Sequence, residues 1–288
     1  MPGSLEHRQI ECHEAISSDT DCIDVLAEAS GLSKRQIRDA MRKGAVWLTK
    51  AKSTARLRRH NRDVPDGSVV HLYYDERILS TSPTPCDLIA DEGHYSVWHK
   101  PYGVLSQGSK WGDHCTVYRW ASLNLKPERP VFTVHRLDRA ASGLILIAHR
   151  KRTATQLAKL FESRDILKRY RAVVHGLLEE EISIDQPIDG RQAVSRIRPL
   201  EQSVDADTSL VEVTIGTGRK HQIRRHLSGI GLPVVGDRLY GRDGDTEDLR
   251  LTACELGFVD PQTGAEKSYW VGDERCPVLG VRKSDPEP

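Results

Sequence analysis

The chain has 288 residues, of which 38% are hydrophobic and 29% charged, with a formal net charge of +1 at pH 7. This length favours two domains, and no apolar run is long enough for a transmembrane helix. The N-terminal segment lacks the apolar core of a signal peptide, which predicts a cytoplasmic protein. The six cysteines form no CxxC pair, so we expect reduced structural thiols and no metal site.

Charge is segregated in the N-terminal part of the chain. Residues 1–30 contain seven acidic residues and one basic residue, Arg8. Residues 31–62, here called the basic block, contain eleven Lys or Arg residues against the single acidic residue Asp39. Such a block is typical of a surface that binds a polyanion.

An amphipathic helix is predicted within the basic block. Ser33 is its expected N-cap, apolar residues follow at helical spacing, and Gly44 is expected to end it. Val46 and Leu48 alternate as in a β-strand, and a turn at 65–67 leads into a second strand. The pattern therefore predicts a helix followed by two strands with a basic loop between them.

These elements resemble the small RNA-binding module of the ribosomal protein S-four type, over residues 17–80. The resemblance implies that basic side chains of the helix contact RNA phosphates and give affinity without sequence preference. The expected contact residues are Lys34, Arg35, Arg38, Arg42 and Lys43. The alternative is a basic helix that only faces solvent.

A polar segment with Pro83 and Pro85 follows, and residues 81–94 are predicted to be a linker. Residues 95–282 then show short apolar strands and one clear helix, "KRTATQLAKLFESRD". Strands are expected at 95–98, 132–134, 143–148, 168–175, 209–215 and 268–271. Neither a GxGxxG motif nor a P-loop occurs, so a nucleotide-cofactor domain has no support.

The stretch "HRLDRAASGLILIA" at 135–148 places Asp138 between Arg136 and Arg139, just before an apolar strand. Taken alone, such a cluster is most simply a surface ion pair in a solvated loop. A functional reading requires further motifs elsewhere in the chain.

Three further segments supply them: "HKPYGVLSQ" at 99–107, "KRYRAVVHG" at 168–176 and "TGRKHQIRRHLSGIGLPVVGDRLYG" at 217–241. In this order, with 135–148, they resemble the RluA-type pseudouridine synthases across nearly all of residues 90–282. The resemblance implies an α+β fold, in which a mixed, largely antiparallel sheet with a central cleft accompanies the small N-terminal α/β module. It also implies an isomerase that needs no cofactor and no metal.

In the implied reaction, the uracil of a uridine is detached from its ribose at N1, rotated and rejoined through C5. By resemblance, the nucleophile falls on Asp138, the active-site tyrosine on Tyr170 and the basic partner on Arg224. Arg136 matches the residue expected to fill the gap left by the extruded base, and His135 is a second candidate for that role.

These residue types suit the chemistry. A carboxylate can stabilise or bond to an oxocarbenium-like sugar carbon, and a nearby guanidinium can hold it in bidentate geometry. An aromatic ring at Tyr170 offers the flipped base a stacking face, and its hydroxyl can transfer protons. Asp138 could attack the sugar carbon, attack the pyrimidine ring or assist elimination to a glycal. Tyr170 could instead be a core residue, and Arg224 a contact to the RNA backbone.

Two positions depart from the family pattern. Ala141 stands where the family usually has Thr, which removes a hydroxyl from the turn after Asp138. Thr252 stands where His is more common, and it is interpreted as a change beside the site that could shift substrate choice.

The predicted function is therefore an RNA pseudouridine synthase that acts as a monomer on structured RNA, with ribosomal RNA favoured and transfer RNA possible. No membrane partner is expected. One alternative is a catalytically idle RNA-binding or ribosome-assembly factor on the same scaffold. Another, a glycosidase of small nucleosides, is disfavoured by the basic block.

Overall fold

A computed structural model describes residues 7–17, 20–59 and 64–280 and divides the chain into two compact units. Unit 1 runs to Thr84 and also takes in Gln107–Trp120, whereas unit 2 comprises Pro85–Ser106 and the chain from Ala121 onward. Arg62 of the basic block, and residues 281–282 at the end of the expected catalytic domain, lie outside the described residues. Within the described ranges, no helix is long and apolar enough to cross a membrane.

Unit 1 is built on a four-stranded antiparallel sheet in the order β1-β4-β2-β3. Its elements are β1 (Gln9–Ile16), α1 (Cys22–Ser30), α2 (Lys34–Arg42), β2 (Val46–Lys50), β3 (Ser53–Arg56), β4 (Ser68–Asp75) and α3 (Glu76–Ser80). Buried apolar residues of α1 and α2, among them Ile23 and Ile37, pack with Val46 and Leu72 of the sheet in one core. The two helices therefore cover one face of the sheet.

The predicted N-cap of α2 is confirmed. The Ser33 hydroxyl accepts a hydrogen bond from the Gln36 amide, and the Gln36 side chain accepts one from the Ser33 amide at 3.0 Å. Arg42 is the last residue of the helix, and Gly44 has a φ of +81°. A Cβ at Gly44 would lie 2.4 Å from an Asp113 carboxylate oxygen, so both backbone conformation and space require glycine here.

Unit 2 is built on a ten-stranded sheet with the main order β10-β11-β12-β9-β13-β8-β6-β5. β14 pairs with β13, and β7 pairs with β8. The only parallel pairing among the described strands joins β8 to β13, so the mixed, largely antiparallel sheet is as expected. In chain order the elements are β5 (Asp87–Asp91), β6 (Tyr95–Lys100), α4 (Val117–Asn124, which crosses the boundary between the units), β7 (Phe132–Thr133), β8 (Ser142–Ala148), α5 (Lys151–Ser163), β9 (Ile166–His175), β10 (Ile182–Asp185), β11 (Val194–Ser203), β12 (Thr208–Ile215), α6 (Gln222–Gly229), β13 (Leu251–Val259) and β14 (Glu266–Trp270).

Two apolar cores hold unit 2 together. Leu157 of α5 packs with Leu144 and Leu146 of β8, and this core extends to β6 and β13. Ile223 and Leu227 of α6 pack with side chains of β9, β11 and β12. The two helices thus fix the strands whose ends carry the candidate site.

The domain bounds drawn from the sequence differ from this division in three places. β1 precedes residue 17 and pairs with β4 along its whole length. β5 lies within the expected linker 81–94 and pairs with β6. Residues 107–120, expected in the catalytic domain, belong to unit 1.

Candidate active site

Asp138 lies in the loop that joins β7 to β8, and hydrogen bonds hold the backbone on both sides of it. The Ser106 hydroxyl donates to the Leu137 carbonyl at 2.7 Å and accepts from the Leu137 amide at 3.0 Å. On the other side, the Arg139 carbonyl accepts from the Lys100 ammonium at 3.3 Å. The Asp138 side chain is 27% exposed. A fixed backbone therefore presents a carboxylate that remains accessible.

Lys100 is fully buried at the end of β6 and anchors the loops around Asp138. Its Nζ also donates to the carbonyls of Pro101 at 3.0 Å and Val104 at 2.8 Å. Burial lowers the pKa of Lys100 to about 7. With three carbonyl acceptors, this side chain ties two loops together and has no capacity left to touch a substrate.

Arg224, on α6, directs its guanidinium at two carboxylates. Its Nε and Nη2 donate to the two oxygens of Asp237 at 2.7 and 2.6 Å. Its Nη1 lies 3.8 Å from Asp138 Oδ2. Burial lowers the pKa of Arg224, but the hydrogen bonds and charge of Asp237 outweigh burial, so that the net shift is upward. The bidentate contact expected at Asp138 is therefore made to Asp237, and Arg224 reaches Asp138 with its remaining nitrogen.

The two arginines that flank Asp138 in the sequence are not its charge partners. Arg139 donates from Nε to the Gly103 carbonyl at 3.2 Å. Arg136 is exposed and lines the same cleft as Asp138. Neither forms an ion pair with Asp138 in the described part of the chain. The surface ion pair that this cluster alone would favour is therefore not formed, and the arginine at the Asp138 carboxylate is Arg224 on α6.

His221 and Tyr240 extend the contacts around Asp138. His221 Nε2 lies 3.9 Å from Asp138 Oδ1, and its Nδ1 lies 2.9 Å from the Tyr240 hydroxyl. The Tyr240 ring centroid lies 5.1 Å from the Arg224 guanidinium carbon. Burial lowers the pKa of His221, although the charge of Asp138 opposes this shift. The lowered pKa favours the neutral ring of His221, which can act as a hydrogen-bonding group beside the carboxylate.

Tyr170 lies near the middle of β9, opposite Val213 on β12 and Ala253 on β13. Its ring packs against the α6 core and lines the cleft with Asp138. Burial, together with the negative charge of Asp138, raises the pKa of the phenol. A phenol in this environment stays protonated at neutral pH, which favours stacking and hydrogen bonding over proton abstraction.

One cleft, entirely within unit 2, brings together four of the residues predicted from the sequence. Asp138, Tyr170, Arg224 and Arg136 all line it, and the cavity has a volume of about 90 Å³. Apolar side chains of β12 and β13 complete the wall. The cleft therefore combines an accessible carboxylate, an aromatic ring and fixed positive charge, which suits a planar polar ring attached to a sugar.

His135 packs against α5 and is not among the residues that line the cleft. Its Nε2 accepts a hydrogen bond from the Leu146 amide at 3.0 Å. Its ring stacks on Phe161 of α5, with the centroids 4.3 Å apart. Burial lowers the pKa of His135 to about 3. The neutral ring of His135 therefore joins β8 to α5, and its role in RNA binding stays a prediction.

The two departures from the family pattern meet at the parallel pairing of β8 and β13. The hydroxyls of Ser142 and Thr252 lie 2.8 Å apart, so Thr252 supports the turn that follows Ala141. Gly143 has a φ of +116°, and a Cβ there would lie 2.3 Å from the Ala253 backbone. The strands can approach this closely only with glycine at 143.

The basic block of unit 1 is partly neutralised by its own acids. Lys34 pairs with Asp24 at 2.5 Å. Arg42 and Lys43 both pair with Asp39, at 3.1 and 2.7 Å. Exposed pairs of this kind contribute little stability and can exchange for other anions. Three of the five expected RNA contacts thus have local partners.

Arg35 and Arg38 differ from those three. Both are exposed on α2, and neither has an ion pair or side-chain hydrogen bond among the described residues. Farther along, Arg56 and Arg58 both contact the buried Asp113 carboxylate, which holds them against unit 1. Arg35 and Arg38 are therefore the basic residues of α2 that are free to meet a polyanion.

Sequence reasoning missed several residues that shape the site. Asp237 and Tyr240 lie in the quoted segment 217–241 but received no role, and Ser106 lies at the end of another quoted segment. The combination "GDRLYG" was a signal that could have drawn attention to the first two.

Comparisons with known proteins agree with the geometry. Residues 94–229 match the family model of RNA pseudouridylate synthase. The chain is 30% identical to tRNA pseudouridine synthase C of Vibrio parahaemolyticus, over 64% of this chain and 89% of that protein. It is 32% identical to the dual-specificity RNA pseudouridine synthase RluA of the same bacterium, over 64% of this chain and 80% of that protein.

A solved structure shares the fold. The human RNA pseudouridylate synthase domain containing 1 superposes with a TM-score of 0.57 at 22% identity, covering 67% of this chain and 87% of that one.

Proposed function

The chain belongs to the RNA pseudouridylate synthase family, and on that premise we propose that Asp138 supplies the carboxylate that acts at the ribose–uracil bond. As a member of the family, the chain is an isomerase that converts uridine in RNA to pseudouridine. The N1–C1′ bond breaks and a C5–C1′ bond forms, while C5 loses a proton and N1 gains one. The reaction consumes no other reagent.

The observation that carries this proposal is the fixed charge arrangement in the cleft. Arg224 is held by both oxygens of Asp237, so it keeps a permanent positive charge 3.8 Å from the Asp138 carboxylate. A negative charge held beside the sugar carbon stabilises the positive charge that develops when the glycosidic bond breaks. Arg224 is thus a positioning residue, and Asp138 is the catalytic one.

Tyr170 and Arg136 serve the base in this proposal. The partly buried Tyr170 lines the cleft and offers the flipped uracil a stacking face and a hydrogen-bonding hydroxyl. Arg136 is exposed at the cleft and has the length to fill the place that the base leaves in the RNA. Filling that place offsets part of the unstacking cost, which is a few kcal/mol.

Unit 1 serves as an RNA-binding module of the S-four type. Arg35 and Arg38 supply phosphate contacts, and the residues paired with Asp24 and Asp39 join when RNA displaces those acids. The substrate is structured RNA, ribosomal or transfer, since relatives are named for tRNA and dual-specificity activities.

The test is tritium release from RNA that carries uridine tritiated at C5, under single-turnover conditions. Asp138→Asn keeps the shape but removes the nucleophile, and its rate should fall by more than about a thousandfold. Asp205→Asn makes the same chemical change at an exposed carboxylate away from the cleft and should retain the wild-type rate. Near-wild-type release by Asp138→Asn, in protein that still binds RNA, would show that another group is the nucleophile.

A further inference from the structure

The outer strand pair of unit 1 carries two histidines that face each other. His13 on β1 and His71 on β4 are direct partners in the antiparallel register. The buried residues that alternate with them, such as Val70 and Leu72, point into the helix-covered core, so the histidines lie on the opposite face. β1 is an edge strand of its sheet, and His13 is exposed.

The inner nitrogens of the two rings are close together. His13 Nδ1 lies 2.9 Å from His71 Nδ1. On a tetrahedral zinc ion with Zn–N bonds of 2.0–2.1 Å, two imidazole nitrogens lie about 3.3 to 3.4 Å apart, whereas at an angle of 90° they lie about 2.8 to 3.0 Å apart. The pair therefore has the spacing of two ligands at 90° on a square-planar copper(II) ion, and a tetrahedral zinc ion requires the two nitrogens to move apart by about 0.4 Å.

The Nε2 atoms, here called the outer nitrogens, have neighbours of the kind that hold metal-binding histidines in place, whereas the Nδ1 atoms are the inner nitrogens. His71 Nε2 lies 2.7 Å from the Thr49 hydroxyl. His13 Nε2 lies 3.4 Å from the Glu11 carboxylate, which Lys110 also contacts at 2.7 Å. A neutral imidazole carries one N–H, and an acceptor at the outer nitrogen keeps that hydrogen there and leaves the inner lone pair for a metal.

We propose that His13 and His71 form a binding site for one divalent transition-metal ion of the zinc and copper type. Two imidazoles supply the protein ligands, and water completes the coordination sphere. Without metal, one N–H joins the two Nδ1 atoms. On binding, that hydrogen moves to the outer nitrogen of its ring, so both rings remain neutral and no proton is released.

This site is independent of the reaction in the cleft of unit 2. Within the described ranges no group of three His, Cys, Asp or Glu residues could hold a metal, so the site has two protein ligands and exchanges its ion readily. A bound ion would link the edge strand β1 to its neighbour β4. Binding to the folded state alone then stabilises unit 1 by mass action.

The experiment titrates the chelator-treated full chain with ZnCl₂ by calorimetry. The wild type should show a single site, and both His13→Gln and His71→Gln should lose it. His7→Gln is the matched control, because His7 pairs with Asp75 near the same strands and takes no part in the site. Thr49→Val keeps both ligands but removes the acceptor on His71, and it should weaken zinc binding about tenfold or more.

A spectroscopic measurement identifies the ligands directly. With CuSO₄ as the probe, electron paramagnetic resonance should show two equatorial nitrogens in the wild type and fewer in each glutamine variant. The glutamine changes lie on the face of the sheet opposite the helix-covered core, and circular dichroism checks that both variants fold. The proposal is overturned if the wild type binds no zinc, or if His13→Gln and His71→Gln bind it as the wild type does.

Discussion

The two units place positive charge in opposite ways. In unit 2, the Arg224 side chain is only 5% exposed, and its Nε and Nη2 are both bound to Asp237. In unit 1, Arg35 and Arg38 are exposed and have no partner in the described part of the chain. A buried, fixed cation can orient a reacting carboxylate, whereas an exposed, mobile one supplies affinity that salt screens. In the proposed function, Arg224 therefore positions the catalytic carboxylate, whereas Arg35 and Arg38 contribute affinity for RNA.

Removing the buried cation should have the largest effect. Arg224→Met leaves Asp237 buried without its partner, and the free energy of unfolding should fall by about 3–5 kcal/mol. The single-turnover rate at neutral pH should fall by about a hundredfold or more, because the charge beside Asp138 is lost. Urea unfolding and tritium release measure the two effects.

The double variant Arg224→Met/Asp237→Asn distinguishes the effect of the Arg224 charge on the reaction rate from its effect on stability. It removes both buried charges, while an Asn side-chain oxygen can still accept from the Leu239 and Tyr240 amides as Asp237 does. Stability should largely return, but the rate should not. A double variant as active as the wild type would mean that Arg224 serves only the fold.

Substitutions at the neighbouring residues His135 and Arg136 should change different quantities, the free energy of unfolding in the first case and the rate of conversion in the second. His135→Gln loses the stacking on Phe161 and should lower the free energy of unfolding by about 1–3 kcal/mol, with little change in the rate on saturating RNA. Arg136→Gln should leave stability within about 0.5 kcal/mol of the wild type and slow conversion about tenfold. If His135→Gln slowed conversion and Arg136→Gln did not, His135 would be the residue that fills the place of the base.

The same histidine predicts a pH dependence of stability. The pKa of His135 is lowered from 6.5 to about 3 in the folded chain, so the unfolded state binds the proton more tightly. The free energy of unfolding should therefore decrease as the pH falls from about 6.5 towards 3. Urea unfolding at several pH values should show a smaller decrease for His135→Gln. Equal slopes in this window would contradict a neutral, buried His135.

The smallest change is expected from the exposed arginines. Arg35→Gln/Arg38→Gln should weaken RNA binding several-fold and reduce the slope of log affinity against log salt by about 1.5 to 2. Lys52→Gln/Arg59→Gln, which removes two exposed charges of the basic block outside α2, is the matched control. Equal salt slopes for the wild type and the α2 variant would show that α2 faces away from RNA.

Local patterns allowed part of this structure to be predicted. The N-cap at Ser33, the strand at 143–148 and the helix that became α5 each depend on residues close together in sequence. β11 was missed because its exposed face carries charged residues, among them Arg196 and Arg198, that hide the alternation. β13 was missed because it is buried on both sides and shows no regular alternation.

The candidate site was predicted only where a motif carried it. Asp138, Tyr170, Arg224 and Arg136 came from quoted motifs and share one cleft. The motifs did not predict which carboxylate forms the ion pair with Arg224, because the packing of the folded chain decides which acidic group lies beside a buried arginine. Thus Asp237, and not a neighbour of Asp138, binds the Arg224 fork. The stacking of His135 on Phe161 could not be predicted for a related reason, since Phe161 lies on another element, α5.

The central claim is that the cleft around Asp138 carries out the reaction, whereas Arg35 and Arg38 of α2 contribute only affinity for RNA. The most direct test compares the single-turnover rates of Asp138→Asn and Arg35→Gln/Arg38→Gln on saturating RNA. Saturation removes differences in affinity, so the α2 variant should convert uridine within about twofold of the wild-type rate. Asp138→Asn should show no conversion at any RNA concentration. A saturated rate that collapses in the α2 variant as it does in Asp138→Asn would contradict this claim, because the exposed arginines would then take part in the chemical step.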